Sequence, residues 1–107
     1  MQLSQMQCRE LPKGSPAATS QQVADYLKQL NDWALTNGVI EKTFSFKDYY
    51  QTIAFVNAVA WIANSQNHHP DLVVGYNKCT VKYSTHSVGG LSENDFICAA
   101  RIDALFR

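Results

Sequence analysis

The stretch Trp33-Ala34-Leu35-Thr36-Asn37-Gly38-Val39-Ile40-Glu41-Lys42-Thr43-Phe44-Ser45-Phe46 decides how this chain folds. Asn-Gly supplies the positive φ values of a primed two-residue turn, so the residues on its two sides pair as an antiparallel hairpin. In the second strand Ile40, Phe44 and Phe46 share one side, interrupted by Lys42, and Glu41, Thr43 and Ser45 take the other. Upstream, Thr19 stands three residues before Gln22 as in a capping box. Val23, Leu27 and Leu30 then repeat at helical spacing, which predicts a helix from Ser20 to about Leu30. Downstream, Lys47 to about Gln66 contains neither Gly nor Pro. Asp48 lies near its start, where the helix dipole favours a negative charge.

After Pro70 the period changes to two. Leu72, Val74 and Tyr76 alternate, and so do Cys79, Val81 and Tyr83, opposite a face of Lys78, Thr80, Lys82, Ser84 and His86. Gly89-Gly90 breaks that strand. Ser92 to Asp95 opens a last helix as a Ser-x-x-Asp cap, with Cys98, Ile102 and Leu105 as its packing stripe beside Phe106. The element order is α-β-β-α-β-β-α. Its economical solution is an α+β fold: a four-stranded antiparallel sheet with three helices packed on one face.

A chain of 107 residues has room for one domain. Residues 1–18 are rich in chain breakers and read as a flexible N-terminal arm carrying one short strand or nothing, and 19–107 as the domain. Nine Lys and Arg balance nine Asp and Glu, which argues against a nucleic-acid surface, since phosphate neutralisation supplies most of that affinity. No run approaches the length of a membrane span. Met1 to Glu10 lacks the basic-then-apolar order of a secretory signal. Cys8, Cys79 and Cys98 form no paired framework and read as reduced thiols, so a cytoplasmic location is expected. The helix after Lys47 is apolar almost all round, more than the stripe that covering one sheet face requires. Its surplus face is expected to meet another subunit, with Phe55, Val59 and Ile62 as the candidate surface.

The three histidines all lie between positions 68 and 86. Asn67 and Pro70 bracket His68 and His69 at a helix-to-strand junction, where side chains can project into a cleft. Three readings compete. Each imidazole can cap a helix end or satisfy a buried carbonyl. His86, one of the pair and Asp95 can assemble a metal site, although adjacent residues diverge and His68 and His69 do not share an ion. Or the imidazoles are acid/base groups, suited to proton transfer near neutral pH. No phosphate loop, nucleophile elbow or activated cysteine accompanies them, so no organic cofactor is expected, and the divergence of His68 and His69 makes the metal site the less favoured reading.

The set Asn67-His68-His69-Pro70-Asp71-Leu72, Tyr76-Asn77-Lys78, Ser84-Thr85-His86, Gly89-Gly90-Leu91-Ser92 and Asp95 resembles the pterin-4a-carbinolamine dehydratase family. So do Trp33, Phe44 to Tyr49 and Phe55 upstream. The resemblance spans roughly residues 23 to 106. It implies dehydration of 4a-hydroxytetrahydropterin to quinonoid dihydropterin in tetrahydrobiopterin recycling, a hydro-lyase reaction needing positioned acid and base groups but no cofactor. By the same resemblance His68 and His86 are the acid/base pair and His69 chiefly holds the pterin. Pro70 shapes the loop, Ser84 and Thr85 touch the pterin edge, and Asp95 sits near the site as well as capping a helix. Asn64 stands where many members carry a glutamate, and it cannot share a charge or proton. The resemblance further implies dimers joined through their sheets and tetramers joined through the long helix. An alternative from another class is a non-catalytic assembly partner that docks a second protein on that helix.

Overall fold

A computed structural model describes residues 2–106. Its helices and strands are α1 (Ser20–Leu27), β1 (Ala34–Thr36), β2 (Val39–Ser45), α2 (Tyr49–Gln66), β3 (Asp71–Val74), β4 (Lys78–Tyr83) and α3 (Glu93–Asp103). The strands form one antiparallel sheet in the order β1-β2-β4-β3. The expected α+β architecture is the one observed.

Local chemistry accounts for the boundaries. Gln22 N–H donates to Thr19 Oγ1 at 3.2 Å, and Thr19 N–H donates to Gln22 Oε1 at 2.9 Å, closing the capping box of α1. The helix ends at Leu27, earlier than its apolar spacing suggests, and Leu30 reaches the core from the turn that follows. Asn37 and Gly38 both have positive φ and turn β1 into β2. Asp48 caps α2 through Gln51 N–H at 2.9 Å. Asn67, at φ 51°, ends that helix in the left-handed region.

Ile40, Phe44, Cys79, Val81 and Tyr83 are buried on one face of the sheet. Lys42 interrupts this face without harm because its ammonium reaches Asp103 at 2.9 Å. Its Nζ also lies 4.8 Å from the centroid of the Phe44 ring, so stem and charge are both accommodated. Asp103 in turn accepts from Trp33 Nε1–H and from Asn31 N–H, both at 3.1 Å.

Three expectations need correction. The first concerns the expected surface of α2; the most deeply buried helix is α3, where Asn94 through Ala100 are all buried. On α2 the buried residues are Thr52, Phe55, Val59, Ile62 and Ala63, a stripe at helical spacing facing the chain's own core. Phe55, Val59 and Ile62 therefore cannot be the free surface of this helix. The open face carries Tyr50 (83% exposed) and Trp61 (72%). Leu105 also leaves the stripe assigned to it. The helix tightens to a 3₁₀ turn at Ala104–Phe106, which changes the phase, and Phe106 instead stacks on Phe44 at 5.5 Å.

The third correction concerns the first eighteen residues. They carry a 3₁₀ turn at Leu3–Gln5 rather than a strand, and Leu3 is buried in the core. Leu3 N–H donates to Gln29 Oε1 at 3.0 Å, Cys8 N–H to Gln66 Oε1 at 2.7 Å, and the Arg101 guanidinium to Met6 C=O. Arg9 and Asn94 exchange two bonds, of 3.1 and 2.8 Å. Every one of these partners is distant in sequence, so no local pattern announces the packing.

Candidate active site

The end of α2, the end of β4 and the start of α3 meet around one carboxylate. Asp95 is fully buried in the first turn of α3. Its Oδ1 lies 2.5 Å from His68 Nε2. Its Oδ2 accepts from the Thr85 hydroxyl at 2.8 Å and from Ser92 N–H at 2.9 Å. Because Thr85 commits its single hydroxyl proton to Asp95, it accepts from Ser92 Oγ–H at 2.7 Å. The carboxylate that caps α3 is thus also the hydrogen-bond partner of His68.

His68 is held on further sides. Its N–H donates to Ala63 C=O at 3.0 Å, continuing the end of α2. Its C=O accepts from Tyr83 O–H at 3.2 Å, and the two rings stack at 5.2 Å. Burial alone would depress this imidazole. The hydrogen bond and charge of Asp95 outweigh that cost and hold it above the ordinary histidine value. Its side chain remains 14% exposed, toward a cleft of about 370 Å³ lined also by Cys8, Arg9, Gln66, Thr85 and Asn94.

The other expected residues are distributed differently. Thr85 also lines a second concavity of about 300 Å³ with Ser84, His86 and Gly38. Thr85 pairs with Gly90 through Thr85 N–H to Gly90 C=O at 2.8 Å, so the chain turns back there. His86 consequently opens a 3₁₀ turn, His86–Val88, instead of ending the strand. His69 and Pro70 lie in the connection to β3, with His69 exposed, and neither lines the two concavities. Asn64 is exposed on α2 and lines neither. One chain thus joins His68, Thr85 and Asp95 directly, sets His86 and Ser84 across Thr85 from them, and leaves His69 outside. Among the described residues no three His, Cys, Asp or Glu side chains are grouped to hold a metal.

The family model described as pterin 4 alpha carbinolamine dehydratase matches residues 16–105. The chain belongs to this family. A relative from Nitrosospira multiformis, provisionally named a pterin-4-alpha-carbinolamine dehydratase, is 53% identical over 98% of this chain and 93% of its own. A Legionella pneumophila relative with the same provisional name is 53% identical over 96% of this chain and 94% of its own. Among solved structures, a transcriptional coactivator/pterin dehydratase from Brucella melitensis superposes with a TM-score of 0.79 at 28% identity, covering 83% of this chain and 97% of that one. A pterin dehydratase-like RuBisCO assembly factor of the α-carboxysome gives 0.56 at 28% identity, over 68% and 84%.

In this pterin dehydratase family member the sequence reading missed the arm's share of the cleft: Cys8, Arg9, Glu10 and Leu11 form one wall with Gln66 and Asn94. Side chains that bond 58 and 85 positions away leave no periodic trace. Ser92 was legible as a cap and as part of the family motif, but not as the hydrogen-bond donor to Thr85.

Proposed function

We propose that the protein is a hydro-lyase that converts 4a-hydroxytetrahydropterin to quinonoid dihydropterin and water. The observation that carries this reading is the His68–Asp95 pair at the wall of an open cleft. With Nε2 engaged by Asp95, Nδ1 is the ring atom left for substrate. Protonated His68 donates to the 4a oxygen, the C4a–O bond breaks, and water departs as the N5 lone pair forms the C4a=N5 bond. The N5 proton passes to a base, for which His86 is proposed, so one carbinolamine yields one dihydropterin and one water. His69 and Pro70 are proposed to hold the pterin from the α2–β3 connection, and Ser84 and Thr85 its edge.

Self-association is part of this reading, because His86 and His68 open on different concavities and the exposed aromatic face of α2 is left uncovered by the described residues. We further propose a cytoplasmic location, in keeping with the free thiols, and a role in tetrahydrobiopterin recycling. A second reading rests on that same α2 face and on the structural neighbour that is a RuBisCO assembly factor: an assembly partner docking another protein through Tyr50 and Trp61. The deciding experiment follows quinonoid dihydropterin from enzymatically generated carbinolamine. Formation above the spontaneous rate supports the hydro-lyase, and none above it leaves the docking reading.

A further inference from the structure

Cys8 and Cys98 stand 90 positions apart, yet their sulfurs lie 3.6 Å from each other. Cys98 is buried in α3, and Cys8 lines the cleft beside His68. All three cysteines are free thiols, and Cys79 is buried elsewhere, on β4 opposite Phe44. The backbone at Cys8 belongs to no helix or strand. Its N–H donates to Gln66 Oε1, and its neighbours Met6 and Arg9 bond to the Arg101 and Asn94 side chains; no helix or strand ladder holds this stretch, so the arm rather than α3 can supply the roughly 1.5 Å approach that a disulfide of about 2.05 Å requires.

We infer that Cys8 and Cys98 form a reversible dithiol–disulfide pair which, when oxidised, latches the N-terminal arm to α3 along the wall of the His68 cleft. The oxidant class is a peroxide, reaching Cys8 from the cleft. The Cys8 thiolate attacks a peroxide oxygen and the O–O bond breaks, giving a sulfenic acid. The Cys98 thiolate then attacks that sulfur and the S–O bond breaks. With hydrogen peroxide, two thiols and one oxidant give one disulfide and two waters; sulfur is oxidised and the peroxide reduced. The second step needs no diffusion, because the partner is already in contact. The hydrogen bond between the two sulfurs holds the Cys8 thiol well above its usual range and the Cys98 thiol below it, so Cys98 is the readier thiolate for the second step. Residues 8–11 precede the stretch matched by the family model, so the latch ties a segment outside that stretch to Cys98 within it. It stands independently of the proposed reaction.

Trypsin tests it directly, since cleavage after Arg9, Lys78, Lys82 and Arg101 leaves the three cysteines on separate peptides. The folded full chain is treated with hydrogen peroxide, its remaining thiols are alkylated, and it is digested. The expected product links the peptide of residues 1–9 to that of residues 83–101, is released by dithiothreitol, and leaves Cys79 alkylated. In the oxidised protein, hydrogen exchange at the Cys8 and Arg9 amides slows on the order of tenfold. Cys8→Ser abolishes the link and leaves Cys98 alkylated once the chain is denatured. A link to Cys79, a link between two isotopically distinct chains, over-oxidised Cys8 beside free Cys98, or unchanged exchange overturns the latch.

Discussion

Asp95 binds His68 Nε2 through one oxygen at 2.5 Å and spends the other on Thr85 and on the first turn of its own helix. Imidazole and helix terminus are therefore fixed to each other, and the histidine is held by a group that α3 itself requires. Asn64, by contrast, is exposed and does not line the cleft.

Asp95→Asn keeps the shape and removes the charge. Burial then dominates, and His68 should titrate lower than in the unmodified protein. The dehydration rate near neutral pH should fall by about 10²-fold, with the acid-dependent limb of the profile moving to lower pH. NMR titration of His68 alongside the pH–rate profile checks this; an unmoved His68 titration would refute the pairing.

The raised His68 value also makes stability depend on pH. A histidine raised in the folded state adds stability that is complete below about pH 6.5, its unfolded value, and fades as pH climbs through the folded value. The urea midpoint difference between the unmodified protein and His68→Gln should therefore be larger at pH 5.5 than at pH 9. A difference independent of pH would show that His68 and Asp95 do not share a charge in solution.

The histidines are expected to divide by kinetic parameter. His68→Ala and His86→Ala should each lower kcat by roughly 10²-fold, as for loss of a proton-transfer group. His69→Ala should act mainly on KM. Steady-state kinetics on enzymatically generated carbinolamine separates them, and turnover like the unmodified protein in the His68→Ala, His86→Ala double variant would remove both from the chemistry.

Asp103 gathers Lys42, the Trp33 indole and the Asn31 amide. Asp103→Ala leaves a buried indole N–H and an enclosed ammonium without partners, a loss of roughly 3 kcal/mol. Urea unfolding measures it, and a change under about 1 kcal/mol would class the pair with exposed ion pairs.

On α2 two charged substitutions should behave oppositely. Val59→Glu puts a carboxylate into the chain's own core, costing several kcal/mol, and should unfold the domain. Trp61→Glu, on the open face, should leave the urea midpoint nearly unchanged while lowering the assembled mass. Sedimentation velocity decides, and an unmodified protein that sediments as one chain at micromolar concentration would dismiss the α2 interface.

Sequence alone determined the elements, because their causes are local: the Asn37-Gly38 turn, the Thr19 and Asp48 caps, the alternation through Cys79, Val81 and Tyr83, and the stop at Asn67 and Pro70. His68, Thr85 and Asp95 are named together only through the family resemblance, in one set with His69, Pro70, Ser84 and His86; locality by itself singles out the histidines at the junction after Asn67. Tertiary structure decided what rests on contacts between distant segments. Which helix lies deepest depends on what covers its outer side. The arm's Leu3 and Cys8 cover α3, whereas α2, richer in apolar residues, keeps an open face with Trp61 upon it. Whether Lys42 disturbs the sheet depends on Asp103, 61 residues away. The contact of Cys8 with Cys98 has the same origin: burial and long-range pairing are properties of the assembled surfaces, and neither leaves a period in the chain.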